Sequence, residues 1–259
     1  MGLLDRIDLT ARLDREEYDK RVLKGQRRLL QLRLTLGGLM DETRPGPGIL
    51  VVMEGPDASG KGGAIKLMVN HLDPRPYRVV SYGAPSREEK EHHFLWRFYK
   101  ELPGMGHMAV FDRSWYGRVL VERIEGFCTR EEWKRAYKAV VDFEESLCLE
   151  SVILVKLYMH ISDDEQLARF NRRAGDPLKR WKLTDEDWRN REKNRSYEKA
   201  AEEMFEKTHH RLAPWDIIAG EQKRYARVAA LETVIKRVEE GMVRWGIPVP
   251  KPTEAVPES

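Results

Sequence analysis

The sequence predicts an α/β domain with a parallel sheet, built around a phosphate-binding loop. Three observations carry this. Gly55-Pro56-Asp57-Ala58-Ser59-Gly60-Lys61 satisfies the spacing G-x-x-x-x-G-K. The run Ile49 to Met53 before it is apolar, rich in β-branched residues and opened by Gly46-Pro47-Gly48, as a buried strand requires. After it, Ile65, Met68, Val69 and Leu72 recur at helical spacing. Strand, loop and helix in that order aim successive backbone N–H groups and a helix N-terminus at one anion. On this reading Gly55, Asp57, Ala58, Ser59, Gly60, Lys61, Gly62 and Gly63 form the phosphate cradle, and Lys61 reaches the phosphoryl oxygens.

The ordinary motif continues with Ser or Thr, whose hydroxyl binds magnesium, whereas Gly62-Gly63 follow Lys61 here. The metal then needs another protein oxygen. Asp57, inside the loop, is the nearest carboxylate, and a hard cation prefers carboxylate plus phosphate oxygens. The competing role for Asp57 is that of a turn-former or helix N-cap.

The chain has 259 residues, 41% hydrophobic and 34% charged, enough for one α/β domain with appendages. A net charge of +3 is too mild to demand a nucleic-acid partner. Cys128 and Cys148 fit neither a disulfide framework nor a zinc pattern. With no signal peptide, they suggest a reducing cytoplasm. No apolar run approaches the ~20 residues of a membrane span, so no membrane partner is expected.

Residues 1–44 read as an N-terminal helical extension and linker. Its amphipathic helix starts near Arg15 and stops at Gly37-Gly38. The main domain takes 45–242. Tyr77 to Tyr82 reads as a second strand. Ser86-Arg87-Glu88-Glu89 is a capping box opening a helix to about Lys100. His92 and His93 on that helix face different directions and have a surface or core role. Met108 to Phe111 is a strand ending at Asp112, where an aspartate faces bound phosphates and holds magnesium. Arg113 and Arg118 flank that place as planar, bidentate donors, or as structural ion-pair partners. Glu122 is either a further carboxylate or part of a solvated face.

Thr129-Arg130-Glu131-Glu132 opens a helix to about Leu149. Ser151 to Leu157 is the most β-like run, and Ser162 caps a helix through Arg173. From Arg169 to Arg195 basic residues dominate, with Trp181 and Trp188 among them; Asp176-Pro177 breaks the first helix and Thr184 caps a second to about Lys207. A basic helical hairpin after a strand reads as a mobile lid closing over phosphates. Pro214 to Ala219 is a last strand and Lys223 to Met242 a last helix. Residues 243–259 form a proline-rich tail, disordered from Gly246.

Gly55-x-Asp57-x-x-Gly60-Lys61-Gly62-Gly63, then Phe111 to Tyr116, then Asp176-Pro177-Leu178-Lys179-Arg180-Trp181-Lys182 together resemble the family-2 polyphosphate kinases. The resemblance runs from about Pro47 to Val238. It implies a three-layer P-loop kinase fold with a parallel sheet and helical lid, the N-terminal helical extension lying outside it. It also implies transfer of the terminal phosphoryl group of inorganic polyphosphate to a nucleoside mono- or diphosphate.

By the same resemblance Asp57 and Asp112 bind Mg2+, with Mn2+ as a substitute. Lys66, Arg113, Arg118, Arg173, Lys179, Arg180 and Lys182 hold the polymer, and the catalytic set is Asp57, Lys61, Asp112, Arg113 and Arg118. The segment from Asp112 to Glu122 looks more like the polyphosphate:AMP phosphotransferases, which implies AMP to ADP with ADP to ATP also in scope. The alternatives are a nucleoside-diphosphate-specific polyphosphate kinase and an ATP-dependent nucleotide kinase of the same fold. A homo-oligomer is the expected assembly.

Overall fold

The computed structural model describes residues 2–40 and 44–253. Its centre is β1 (Gly48–Glu54), whose seven residues are all buried. It pairs in parallel with β3 (Met108–Asp112) on one side and β4 (Val152–His160) on the other. β2 (Tyr77–Ser81) and β5 (Trp215–Ala219) extend the sheet to the order β2-β3-β1-β4-β5, all parallel. Continuous burial of β1 and β4 is what a parallel sheet covered on both faces demands, and it explains why both strands read as unbroken apolar runs.

Helices supply the two outer layers. On one face α1 (Arg15–Leu36), α2 (Lys61–Val69) and α10 (Lys223–Arg244) bring Leu29, Leu32, Met68, Val234 and Val238 against Ile49, Val51 and Val155. On the other face α6 (Arg130–Glu150) and α9 (Asn194–Thr208) bring Val140, Phe143, Met204 and Phe205 against Leu50, Val52, Phe111 and Leu154. This is a three-layer α/β fold. α1 is held along α10 by the ion pairs Arg21–Glu232 and Arg28–Glu239, besides its apolar stripe.

Three expectations need correction. The helix from Ser86 to Lys100 is instead two short helices, α3 (Arg87–Lys90) and α4 (Trp96–Tyr99). Ser86 and Glu89 do form the capping box, but every apolar residue of the segment lies from Phe94 onward. The first turns therefore have no apolar stripe to hold a continuous helix on the core.

The helix from Thr184 likewise breaks at Lys193 into α8 (Asp185–Glu192) and α9. Lys193 pairs with Glu125 at 2.9 Å, while Asn194 turns its amide to Asp163 and Gln166. The tail is also not free from Gly246. Ile247 and Val249 pack on the core, and Arg28 and Gln31 donate to the carbonyls of Pro250 and Lys251. Residues 254–259 of the expected tail and 41–43 of the expected linker lie outside the described residues.

Because all five strands are parallel, the loops after β1, β3, β4 and β5 share the carboxyl edge of the sheet, where α/β folds carry ligands. α7 (Asp163–Ala174) follows β4 there, and α8 packs beyond it.

Candidate active site

The loop between β1 and α2 has a backbone that few residues can adopt. Gly55 has φ 135°, and a Cβ there would stand 2.4 Å from the Met159 carbonyl oxygen. Gly60 has φ 113° and directly precedes the first turn of α2. Both glycines are thus required by the path of the chain. Ala58 (φ 62°) and Arg113 (φ 68°) are the non-glycine residues at positive φ among the described residues, and such strain gathers at functional sites.

Lys61 is buried at the base of the loop and its ammonium donates to the carbonyls of Gly55 (2.7 Å) and Pro56 (3.1 Å). Burial pushes its pKa down, against the attraction of Asp112, Asp57 and Glu54.

Asp57 faces across to the next strand. Its Oδ1 accepts from Arg113 Nη2 at 2.6 Å and its Oδ2 from Asn190 Nδ2 of α8 at 2.9 Å. Burial alone would raise the Asp57 carboxyl; Arg113, Lys61 and the Asn190 amide outweigh it and hold the pKa below the usual carboxylate value. Asp112 ends β3 opposite Met53 in register, half-buried, and the Arg113 amide donates to Met53 O at 3.0 Å. The carboxyl ends of β1 and β3 are thereby fixed side by side.

Glu54, the last residue of β1, is buried at 4% exposure and accepts from Ser114 Oγ at 2.7 Å. Burial pushes its carboxyl up to about 7, although the Ser114 hydroxyl, Lys61 and Arg113 pull the other way. Beneath the Arg113 loop lies a second buried cluster. Glu144 accepts from Trp115 Nε1 (2.9 Å), Tyr116 Oη (2.6 Å) and Lys156 Nζ (2.7 Å) and contacts His210 Nε2 at 3.0 Å. Lys156 also donates to Thr208 O and Tyr116 Oη, so the ammonium has three acceptors and no exposure.

Two cavities flank the loop. The first is lined by Glu54, Gly55, Pro56, Asp57 and Arg113, with Gly117, Leu120, Val121, Tyr158, Gln166, Glu186, Asn190, Asn194 and Tyr197. The second is lined by Ala58, Ser59, Gly60 and Gly63 together with Arg169, Arg172, Arg173, Lys179, Lys182, Lys223 and Arg227. Among the described residues, no acidic and no aromatic side chain lines this second cavity.

Of the residues read from the sequence, Asp57 and Arg113 meet at the first cavity; Gly60, Gly63, Arg173, Lys179 and Lys182 meet at the second. Lys66 is exposed on α2 and Arg180 is exposed in the turn after Lys179, and neither lines a cavity described above. Arg118 pairs with Glu122 at 3.2 Å and lies over the Phe94 ring at 4.9 Å, the structural alternative for that arginine.

Glu54, Gln166, Asn190, Tyr197, Lys223 and Arg227 were not singled out in the sequence as site residues. For Lys223 and Arg227 a signal existed: they stand four apart in the first turns of the last helix, one face of it, just past the last strand. Asn190 reaches Asp57 across 133 positions, with no local pattern to mark it. Among the described residues no three His, Cys, Asp or Glu side chains gather into a metal-holding group, and no helix is long and apolar enough to cross a membrane.

With the loop after β1 and the carboxylate ends of two neighbouring strands in place, the molecule is a protein of the P-loop kinase fold. Residues 12–244 match the family model for polyphosphate kinase 2, and the chain belongs to that family. It is 43% identical over 93% of its length to the polyphosphate:AMP phosphotransferase of Pseudomonas syringae pv. tomato, covering 47% of that protein. It is 38% identical over 87% of its length to NDP-polyphosphate phosphotransferase 1 of Ruegeria pomeroyi, covering 72% of it. The crystal structure of polyphosphate kinase 2 from Arthrobacter aurescens TC1 superposes with a TM-score of 0.86 at 31% identity, over 98% of this chain and 89% of that one. The chain thus spans about half the length of the polyphosphate:AMP phosphotransferase it matches.

Proposed function

We propose that the chain transfers the terminal phosphoryl group of inorganic polyphosphate to a nucleotide, with AMP as acceptor and ADP as product. One observation carries this reading. The cavity beyond the loop is lined by seven arginines and lysines and, among the described residues, by no aromatic or acidic side chain. A donor ATP needs a surface for its base; a polyphosphate chain has neither base nor sugar and needs only closely placed cations. The opposite cavity, with Tyr158, Tyr197 and the amides of Asn190 and Asn194, has apolar faces and polar handles suited to a nucleoside. Relatives named for AMP and for nucleoside diphosphates both support nucleotide acceptors.

In this reading a terminal phosphate oxygen of the acceptor, already ionised at neutral pH, attacks the last phosphorus of the polymer in line. One P–O bond forms, the bridging P–O bond to the chain breaks, and the shortened chain departs as its oxyanion. No general base is required. Lys61 and the side of the loop formed by Gly55, Pro56 and Asp57 hold the acceptor phosphate, while Ala58, Ser59 and Gly60 face the polymer; Arg113, at the rim between carboxylate and cavity, stabilises the charge on the transferring group. The cations of the second cavity, Arg172, Arg173, Lys179, Lys182, Lys223 and Arg227, orient the polymer.

Asp57 and Asp112 would hold Mg2+, and their chemistry fits it: one hard carboxylate in the loop after β1 and one at the end of the neighbouring strand β3 suit an ion that keeps phosphate oxygens and water as its other ligands. Bound there, the ion screens repulsion between the two anions.

An acceptor panel tests the assignment. Purified protein, magnesium and long-chain polyphosphate are incubated separately with AMP, ADP, GMP and GDP, and products are separated by anion exchange. ADP from AMP, absent without polyphosphate, is expected. ATP from ADP with nothing from AMP would move the acceptor to the diphosphates.

A further inference from the structure

Arg169 stands among the cations of the basic segment, yet it is 3% exposed and every one of its N–H groups is used. Nε donates to Glu165 Oε1 at 2.7 Å. Nη1 donates to the carbonyls of Ala58 and Ser59, both at 2.8 Å. Nη2 donates to the carbonyls of Gly220 (2.6 Å) and Glu221 (3.0 Å). A guanidinium has five N–H donors, and all five are accounted for. Arg169 therefore cannot grip a phosphate without releasing a backbone carbonyl.

The four carbonyls belong to two separate loops. Ala58 and Ser59 are in the phosphate loop; Gly220 and Glu221 lie between β5 and α10, just before Lys223 and Arg227. One planar fork thus joins two walls of the basic cavity. From the same helix Gln166 Nε2 donates to Asp57 O at 3.0 Å, so three consecutive loop carbonyls, 57 to 59, are turned toward α7. In trans peptides the N–H of the next residue points the opposite way. By that geometry the amides of Ala58 and Gly60 are turned into the loop, and the Ser59 amide, turned the same way, closes a turn on Pro56 O at 3.1 Å. The clamp also accompanies the left-handed Ala58, a conformation the surroundings must enforce.

We propose that Arg169 is a positioning residue for anion binding, which sets the peptide planes of the phosphate loop and fixes the distance from that loop to the cations of α10. This rests on the reading of the second cavity as the polyphosphate site. A lysine cannot replace it: one compact ammonium carries the charge but has three donors and no planar fork to span both loops.

The test is calorimetric binding of inorganic tripolyphosphate to the full chain at several salt concentrations, beside thermal unfolding, for the unmodified chain, R169K and R227Q. R169K is expected to bind about 10-fold or more weakly, with its salt dependence unchanged because the charge is kept and only geometry is lost. R227Q is expected to bind more weakly with a shallower salt dependence. An R169K chain that melts lower but binds tripolyphosphate like the unmodified chain makes Arg169 a structural brace alone and overturns the proposal. So does a shallower salt dependence in R169K, the mark of a direct ligand.

Should R169K not fold, side-chain and amide NMR of the unmodified chain decides. The Arg169 guanidinium resonances are expected to hold still during tripolyphosphate titration while the Ala58 and Gly60 amides shift; still amides overturn the proposal. An unmodified chain that binds no tripolyphosphate removes the reading of the cavity and this proposal with it, whereas binding by the unmodified chain matched by R169K removes the proposal alone.

Discussion

Arg113 Nη2 lies 2.6 Å from Asp57 Oδ1, joining the loop after β1 to the loop after β3. Each residue is unusual in its own loop, Asp57 as a carboxylate inside an anion-binding turn and Arg113 as a left-handed non-glycine residue, and each is satisfied by the other. The pair places a negative and a positive group at the edge of one cavity, where the proposed function puts a cation and the transferring phosphoryl group. Asp57→Asn keeps a hydrogen-bond acceptor for Arg113 while removing the charge. Turnover is expected to fall by about 100-fold or more, and thermal stability to drop as well, because Asn190 loses its acceptor and Arg113 its counter-charge. A D57N enzyme retaining turnover within a few-fold at any magnesium concentration would exclude Asp57 from the metal site.

Glu54 gives the fold a definable pH response. Its folded pKa is about 7 against an ordinary 4.5, so the folded state keeps this proton where the unfolded chain has lost it. For a raised acid the contribution to stability is full below about 4.5 and is lost as pH rises through about 7. Glu54→Gln removes the titration and keeps an acceptor for Ser114. Urea midpoints of the two chains should diverge between pH 5 and pH 8, the wild type falling behind by up to about 3 kcal/mol. Parallel midpoints across that range would contradict the assignment.

The buried pair Lys156–Glu144 is expected to show the asymmetry of internal charges. Lys156→Met leaves Glu144 buried without its cation and should cost about 3–5 kcal/mol. Adding Glu144→Gln keeps acceptors for Trp115 and Tyr116 while removing the stranded charge. The double variant should be at least about 1 kcal/mol more stable than K156M in urea unfolding. A double variant less stable than K156M would show that Glu144 is held chiefly by its other partners.

The two cavities predict separable effects. Lys223→Gln and Arg227→Gln should each raise the KM for polyphosphate, by about 2-fold to 10-fold at low salt, leaving the KM for the nucleotide within error. Asn190→Ala should do the reverse, since Asn190 faces the first cavity and Asp57. Steady-state kinetics with each substrate varied in turn distinguishes them; a shift of both constants in every variant would mean a single shared site.

Much of this site could be read from residues that are neighbours in sequence. The strand, loop and helix from Gly48 to Val69 follow from an apolar run, glycine spacing and helical periodicity, all local properties. The carboxylate end of β3 was readable for the same reason. What stayed hidden depends on chain crossings. Arg169 looks like the start of a basic face until the loop after β5 and the phosphate loop converge on its guanidinium. Lys156 interrupts an apolar strand with no visible reason until α6 supplies Glu144. The break at Lys193 is likewise set by Glu125, 68 positions away, rather than by a proline or glycine in the helix.

The most direct measurement of the central claim compares donors. With AMP and magnesium fixed, initial rates of ADP formation are taken with long-chain polyphosphate and with ATP in separate reactions, each over a range of concentrations. The cation-lined cavity without an aromatic wall predicts kcat/KM for polyphosphate at least about 100-fold above that for ATP. Equal or greater efficiency with ATP would contradict it and make the chain an ATP-dependent kinase of the same fold.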